Sequence, residues 1–289
     1  MFRLDRWERF ALAKIFPLLP PQANSWLFGS RTDVTARGGD IDILIQWDAP
    51  TQGHFELSRR LTMAFQDHCD EKIDFVVLPQ SPADPAQQAF LRSIKTKISL
   101  ATVINTPLLD HVALLVRNLE ASRSVSRPFG FALQDIENFP ETTETYVGEP
   151  GRSSRLLLMQ PSGPGSYQRA LEKRGPGLHH LGVVVPSIKM FLSQIKDSGW
   201  LIHPVSALKI EAGGDVYLAR PGAPLIEVSQ QEPCKPAQLA PVVERVRVKV
   251  APDIAARLSC LGIPELDWTT TEETAVQVNG AWHQVSTFV

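Results

Sequence analysis

LDHVALLV at 109–116 and LHHLGVVV at 178–185 are the two stretches that decide the fold. Superposed at an offset of 69, they carry His111 onto His180 (180 − 111 = 69). The register holds outward from there: the amphipathic stretches 118–129 and 187–198 match, and Gly130-Phe131 falls on Gly199-Trp200 without a gap. Each copy reads as strand, helix, Gly-aromatic turn and two or three further strands, closing in RLLLM at 155–159 and PLIEV at 224–228. Residues 107–229 are therefore predicted to be two βαβββ modules. A single such module leaves an apolar sheet face exposed, so two of them pair their sheets into one curved cleft. The internal two-fold of that cleft aims His111 and His180 inward from equivalent first strands. Neutral imidazole is a good ligand for Zn²⁺, Co²⁺, Ni²⁺ or Fe²⁺, and Glu227, in the last strand of the second module, offers a carboxylate. His179 reads as structural or solvent-facing, because its neighbour takes the inward position.

Upstream lies a different chemistry. A helix over 4–16 is followed by a strand-like NSWLF and then GSRTDVTARGGDIDILIQW. Asp40 and Asp42 alternate with Ile41, Ile43 and Ile45, so a strand projects both carboxylates from one face. Two carboxylates that close repel unless a cation sits between them, and a hard ion such as Mg²⁺ favours oxygen ligands. Gly29-Ser30 follows a strand and offers backbone N–H groups and a hydroxyl to a phosphate, as a loop at a helix N-terminus does. Asp74 stands in a third apolar run, KIDFVVL, on the face of Lys72 and Val76. A helix is expected near 54–67 and another over QAFLRSIKTKISL at 88–100, closing this domain.

Gly29-Ser30, nine intervening residues, Asp40-Ile41-Asp42 and the later Asp74 resemble the signature of the DNA polymerase beta-like nucleotidyltransferases, the minimal prokaryotic kind in particular. The resemblance covers roughly residues 20–80. It implies that Asp40 and Asp42 hold Mg²⁺, that Asp74 helps hold the metal nearest the attacking hydroxyl, and that Gly29 and Ser30 bind the phosphates of a nucleoside triphosphate. Residues 107–229, through GPGLHH and LIEV, resemble the vicinal oxygen chelate superfamily, most of all its methylmalonyl-CoA epimerase and glyoxalase branch. That resemblance implies His111, His180 and Glu227 as metal ligands, with Glu144 facing Glu227 so that the two carboxylates act as a pair of bases. The fourth ligand of that family falls on Leu157, which the repeat also matches to Glu227 at an offset of 70.

The expected fold class is α+β in three parts: a nucleotidyltransferase mixed sheet with helices over 1–104, the paired modules over 105–231, and a small α+β tail over 232–289. A proline-rich linker, QQEPCKPAQLAP at 230–241, precedes the tail, and Asn279-Gly280 between alternating runs signals a type I′ hairpin. Basic and acidic residues balance at 12 and 12 in 1–100, 12 and 12 in 101–231, and 5 and 7 in 232–289. A phosphate-backbone grip needs a basic surplus, which argues against a long nucleic acid as partner. No apolar run approaches a membrane span of ~20 residues. The scattered Cys69, Cys234 and Cys260 fit reduced thiols in a cytoplasm. The favoured function is Mg²⁺-dependent transfer of a nucleoside monophosphate to a small-molecule or protein acceptor that the paired modules bind. The alternatives are a metal-dependent isomerase or epimerase of acyl-CoA or glyoxalase type with a nucleotide-sensing first domain, and a non-enzymatic, antitoxin-like binding protein. A homodimer is left open.

Overall fold

The computed structural model describes residues 2–33, 35, 36, 39–149, 154–207, 214–231 and 241–289. Of the expected linker, residues 232–240, Cys234 included, lie outside them. Two compact units meet in sequence between Thr106 and Pro107. No described helix is long and apolar enough to cross a membrane.

The first unit runs α1 (Arg6–Ile15), β1 (Asn24–Phe28), β2 (Ile41–Gln46), α2 (Thr51–Gln66), β3 (Ile73–Leu78), α3 (Pro85–Ser93), β4 (Ile98–Ser99) and α4 (Leu100–Ile104). A capping box starts α1: Glu8 N–H donates to Asp5 Oδ1 at 2.8 Å and Asp5 N–H to Glu8 Oε2 at 2.6 Å, satisfying two orphan donors. Leu57, Leu61 and Phe65 recur every four residues, so α2 buries one stripe. The strand order is β3-β2-β1-β4, with β2 parallel to β3 and antiparallel to β1. Ile41, Ile43 and Ile45 are fully buried in one cluster with α1 and α2. Leu44 belongs to a second cluster with Phe90 and Leu91 of α3. By alternation Asp42 shares the Leu44 face.

The expected single helix at 88–100 is broken. α3 ends at Ser93, and Ile98-Ser99 pairs with Leu27 and Trp26 on the open edge of β1. Ile94, Thr96 and Ile98 alternate with Lys95 and Lys97, a period-two signal that overrides the helix reading. Lys97 Nζ lies 4.2 Å from the Trp26 ring centroid.

The second unit begins with β5 (Leu108–Leu115), α5 (Leu119–Ser126), β6 (Glu137–Asn138), β7 (Thr142–Val147), β8 (Arg155–Pro161) and α6 (Ser166–Arg174). The second copy follows as β9 (Gly177–Val185), α7 (Ile188–Gln194), β10 (Leu201–Ile202), α8 (Pro204–Ala207), β11 (Val216–Ala219) and β12 (Leu225–Gln230). They form one eight-stranded sheet, β10-β11-β12-β9-β5-β8-β7-β6, whose pseudo-two-fold lies between the antiparallel β5 and β9. Odd and even positions separate cleanly. Val112, Leu114, Val116, Leu156 and Leu158 pack with Ile188 and Phe191 of α7 on one face, while Ala113, Leu115, Leu157 and Met159 pack beneath Leu171 of α6 on the other.

The tail adds β13 (Arg245–Lys249), α9 (Pro252–Leu258), β14 (Leu266–Thr269), β15 (Ala275–Val278) and β16 (Ala281–Gln284), in the order β14-β13-β15-β16. Asn279 and Gly280, with φ of 51° and 77°, make the expected two-residue turn. Val246, Val248, Val276 and Phe288 join the same apolar cluster as Val112 and Ile226, so the tail's core is continuous with the paired modules.

Candidate metal centre

His111 on β5 and His180 on β9 sit next to the two-fold, on the face that carries Leu157 and Met159. Each needs a small residue opposite it. Gly182 pairs with His111, and a Cβ there would stand 2.1 Å from the His111 ring; Ala113, its two-fold mate (182 − 113 = 69), pairs with His180. The imidazoles thereby reach Glu227 on β12, which pairs with Gly182. His111 Nε2 and His180 Nε2 are 3.0 Å apart, and Glu227 Oε2 lies 3.4 Å from the first and 3.0 Å from the second. Donor atoms about 2.1 Å from a common ion stand roughly 3.0–3.4 Å from one another, from octahedral to tetrahedral. Among the described residues this is the group of three His, Cys, Asp or Glu side chains able to hold a metal ion.

The surroundings favour a cation at this point. Burial disfavours charge on His111, yet its contacts with Asp110 and Glu227 outweigh burial and hold it at about 9. Burial likewise opposes the Glu227 carboxylate, and the two imidazoles prevail, holding it well below the usual carboxylate range. A proton on His111 thus balances the Glu227 carboxylate, and a metal ion would take that proton's place between them. His180 is lowered by burial and so kept neutral. Outer contacts orient the ligands: His111 Nδ1 meets Asp110 Oδ2 at 2.9 Å, and Tyr217 OH donates to Glu227 Oε1 at 2.9 Å. His179 is buried against Tyr167, with Nδ1 2.9 Å from His180 Nδ1, and burial drives it down to about 3. The donor set fits a divalent transition metal held by three protein ligands.

Leu157 occupies the fourth position. Ala113 pairs with Leu157 as Gly182 pairs with Glu227, so the register itself makes the two residues equivalent. At 4% exposure Leu157 lines the same cavity of about 250 Å³ as the triad, Glu144, Tyr146, Tyr167, Asp215 and Tyr217. Sequence reasoning missed Asp110, Asp215 and the tyrosines. A signal was present: ETYV at 144–147 matches DVYL at 215–218 at an offset of 71 (217 − 146 = 71), and all three tyrosines of the chain line this cavity. Glu144 accepts a hydrogen bond from Thr142 Oγ1 at 2.5 Å, and burial raises its carboxyl. Glu227 does not share that freedom. One oxygen accepts from Tyr217 and the other lies against both imidazoles, so Glu227 is engaged as a ligand would be.

The acids of the first unit are neighbours without converging. Asp42 pairs with Asp74 across β2 and β3, and Asp40 immediately precedes β2. Lys72 Nζ bonds to the Asp40 carboxylate and lies 4.0 Å from Asp74, so a lysine supplies the counter-charge expected of Mg²⁺. Burial, then Asp74 and Asp40, raise the Asp42 carboxyl. Gly29 backs onto Asp42, where a Cβ would stand 2.2 Å from Oδ2, and Ser30 Oγ lies beneath Gly39. Gly29 and Ser30 open a short 3-10 turn, Gly29–Thr32.

Residues 110–217 match the family described as Glyoxalase/Bleomycin resistance protein/Dioxygenase superfamily. Among solved structures, methylmalonyl-CoA epimerase from Mycobacterium tuberculosis is 22% identical, with 45% of this chain and 87% of that chain covered at a TM-score of 0.34. A hypothetical protein from Bacillus halodurans is 20% identical, with 44% and 96% covered at 0.36. A mutant of 4-hydroxymandelate synthase from Streptomyces coelicolor is 17% identical, with 58% and 59% covered at 0.36. No curated protein matches the chain. The family match covers residues 110–217 as a glyoxalase-type region and does not reach residues 20–80.

Proposed function

We propose that the second unit is a metal-dependent isomerase or epimerase acting on a carbonyl compound, such as an acyl-CoA, by moving a proton at the carbon next to the carbonyl. The observation that carries this reading is the convergence of His111 Nε2, His180 Nε2 and Glu227 Oε2 within 3.4 Å of one another on the axis of the paired modules. These three would hold a divalent transition metal, Zn²⁺, Co²⁺, Ni²⁺ or Fe²⁺, and the bound ion would supply Lewis-acid polarisation of the carbonyl. Glu144, its carboxyl raised by burial, accepts the proton as the C–H electron pair moves into the carbonyl. Asp215 is its two-fold mate (215 − 144 = 71) and lines the same cavity. In this proposal a proton taken up from solvent passes through Asp215 to the other face of the carbon, and Glu144 returns its proton to solvent. Leu157 offers no donor atom, so an ion held by the three ligands would keep room for a substrate oxygen. The test is metal-loaded protein in D₂O with a panel of acyl-CoA and glyoxalase-type substrates, followed by NMR. Deuterium should enter at the carbon beside the carbonyl, and Glu144→Gln should stop it with metal content unchanged. No exchange across the panel by fully loaded protein would sink this reading.

A second reading concerns the first unit. The pairing of Asp42 with Asp74, Asp40 beside them and the close approach of Gly29 support Mg²⁺-dependent nucleotidyl transfer from a nucleoside triphosphate to a small-molecule or protein acceptor. In that reading Asp40, Asp42 and Asp74 hold Mg²⁺ once Lys72 yields Asp40 to the ion, and Gly29 and Ser30 contact the phosphates. Labelled ATP with Mg²⁺ and a broad acceptor panel should give transfer that Asp40→Ala and Asp42→Ala abolish; neither transfer nor pyrophosphate release would refute it.

A further inference from the structure

The two-fold that unites the metal centre also exposes where its halves diverge. Tyr146 and Tyr217 are equivalents: Tyr146 pairs with Leu157 and Tyr217 with Glu227 across antiparallel strands. Each sets its ring edge-on against the histidine of its own module at the same centroid distance, 6.0 Å for His111–Tyr146 and 6.0 Å for His180–Tyr217. Their hydroxyls differ. Tyr217 OH is spent on the metal-ligand carboxylate of Glu227. Across from Tyr146 stands Leu157, which accepts nothing, and among the described residues the Tyr146 hydroxyl makes no hydrogen bond although Tyr146 lines the cavity.

The exchange extends one step along the strand. β8 reads Arg155-x-Leu157 where β12 reads Leu225-x-Glu227, so acid and aliphatic in one half face base and aliphatic in the other. Arg155 stacks its guanidinium 3.9 Å from the Tyr146 ring centroid. Among the described residues that guanidinium has no ion pair, and its Nε is buried without a hydrogen-bond partner. A buried donor left unsatisfied is costly, and an anionic oxygen is what a free phenol hydroxyl would recognise when a guanidinium stacked on its ring adds positive charge nearby.

We infer that Tyr146, backed by Arg155, is the specificity-determining donor of this site, holding an anionic or enolic oxygen of the substrate, while its mate Tyr217 positions the metal ligand Glu227. The inference rests on the metal-dependent reading above. It makes the second module the metal half of the site and the first module the substrate half.

The test uses the full chain loaded with Co²⁺, whose visible spectrum reports on coordination, and oxalate as the oxyanion probe. Tyr146→Phe and Arg155→Gln should each weaken oxalate binding about tenfold, the scale of one hydrogen bond to a charged group, with cobalt affinity and the oxalate-free spectrum unchanged. Tyr217→Phe should do the reverse, weakening cobalt by about tenfold and altering the spectrum, as loss of an outer-shell partner does. Leu157→Gln gives Tyr146 an acceptor and should tighten cobalt while weakening oxalate. Unchanged oxalate affinity in Tyr146→Phe, a cobalt loss there equal to that of Tyr217→Phe, or cobalt-loaded wild type that ignores oxalate would each overturn the inference alone. Wild type that takes up no cobalt would overturn the metal-dependent reading and this inference with it.

Discussion

The chain gathers two sets of ionisable side chains by the same device, alternation along a strand, and builds them to opposite ends. In the first unit the acids are solvated: the side chains of Asp40 and Asp74 are 37% and 56% exposed, and a lysine that is itself 71% exposed supplies the positive charge. In the second, the side chains of His111 and His180 are 9% and 3% exposed, and among the described residues no Lys or Arg lines their cavity. Period-two patterning is enough to bring like charges to one face. Holding an ion firmly takes more: donor atoms from several strands meeting at one point, and walls that keep water from screening them.

The comparison breaks most sharply if the second site tolerates loss of a ligand. Glu227→Ala should lower Zn²⁺ or Co²⁺ affinity by more than about 100-fold, beyond the range for outer-shell partners, as measured by calorimetric titration. Asp110→Asn, which weakens the contact to the far nitrogen of His111, should cost about 10- to 100-fold in the same titration and leave the fold intact by circular dichroism. In the first unit the sign reverses. The Asp42 carboxyl is raised above its unfolded value, so the folded state binds the extra proton. Its favourable contribution is present below the unfolded carboxylate pKa and lost as pH rises through the folded one. Asp42→Asn should therefore stabilise the protein at pH 7 by less than about 1 kcal/mol once solvent screening is allowed for, and the gain should vanish in acid denaturation curves near pH 3. Smallest is Lys72→Met: the melting temperature should hardly move in buffer alone, but added Mg²⁺ should raise it more than in wild type, since the ion replaces the missing ammonium.

Much of the second unit was legible from a single offset. Both imidazoles, Glu227, the Gly-aromatic turns and the order of elements followed from laying LDHVALLV on LHHLGVVV. The partners that orient the ligands did not follow, because they depend on which residues face each other across strands. Tyr217 reaches Glu227 only through the antiparallel register of β11 on β12, and Asp110 reaches His111 through a side-chain contact between neighbours in sequence. The ETYV and DVYL match at offset 71 contained Tyr146, Tyr217 and Asp215, but two extra residues between strands hid it from a search at 69. In the first unit the strands NSWLF and IDILIQ lie where alternation put them. Lys72 as counter-charge did not emerge, since a basic residue two positions before Asp74 reads equally well as a solvated strand end. The run IKTKIS was misread as helix because the open edge of β1, which it pairs with, is far away in sequence.

The central claim is that His111, His180 and Glu227 hold one transition metal. Purified protein stripped with chelator, reconstituted with Zn²⁺, Co²⁺ or Fe²⁺, desalted and analysed for metal by mass spectrometry tests it most directly. One ion per chain, lost in His180→Ala and Glu227→Ala but retained in Asp40→Ala, is the predicted result; no retained metal, or metal that survives His180→Ala and Glu227→Ala, contradicts it.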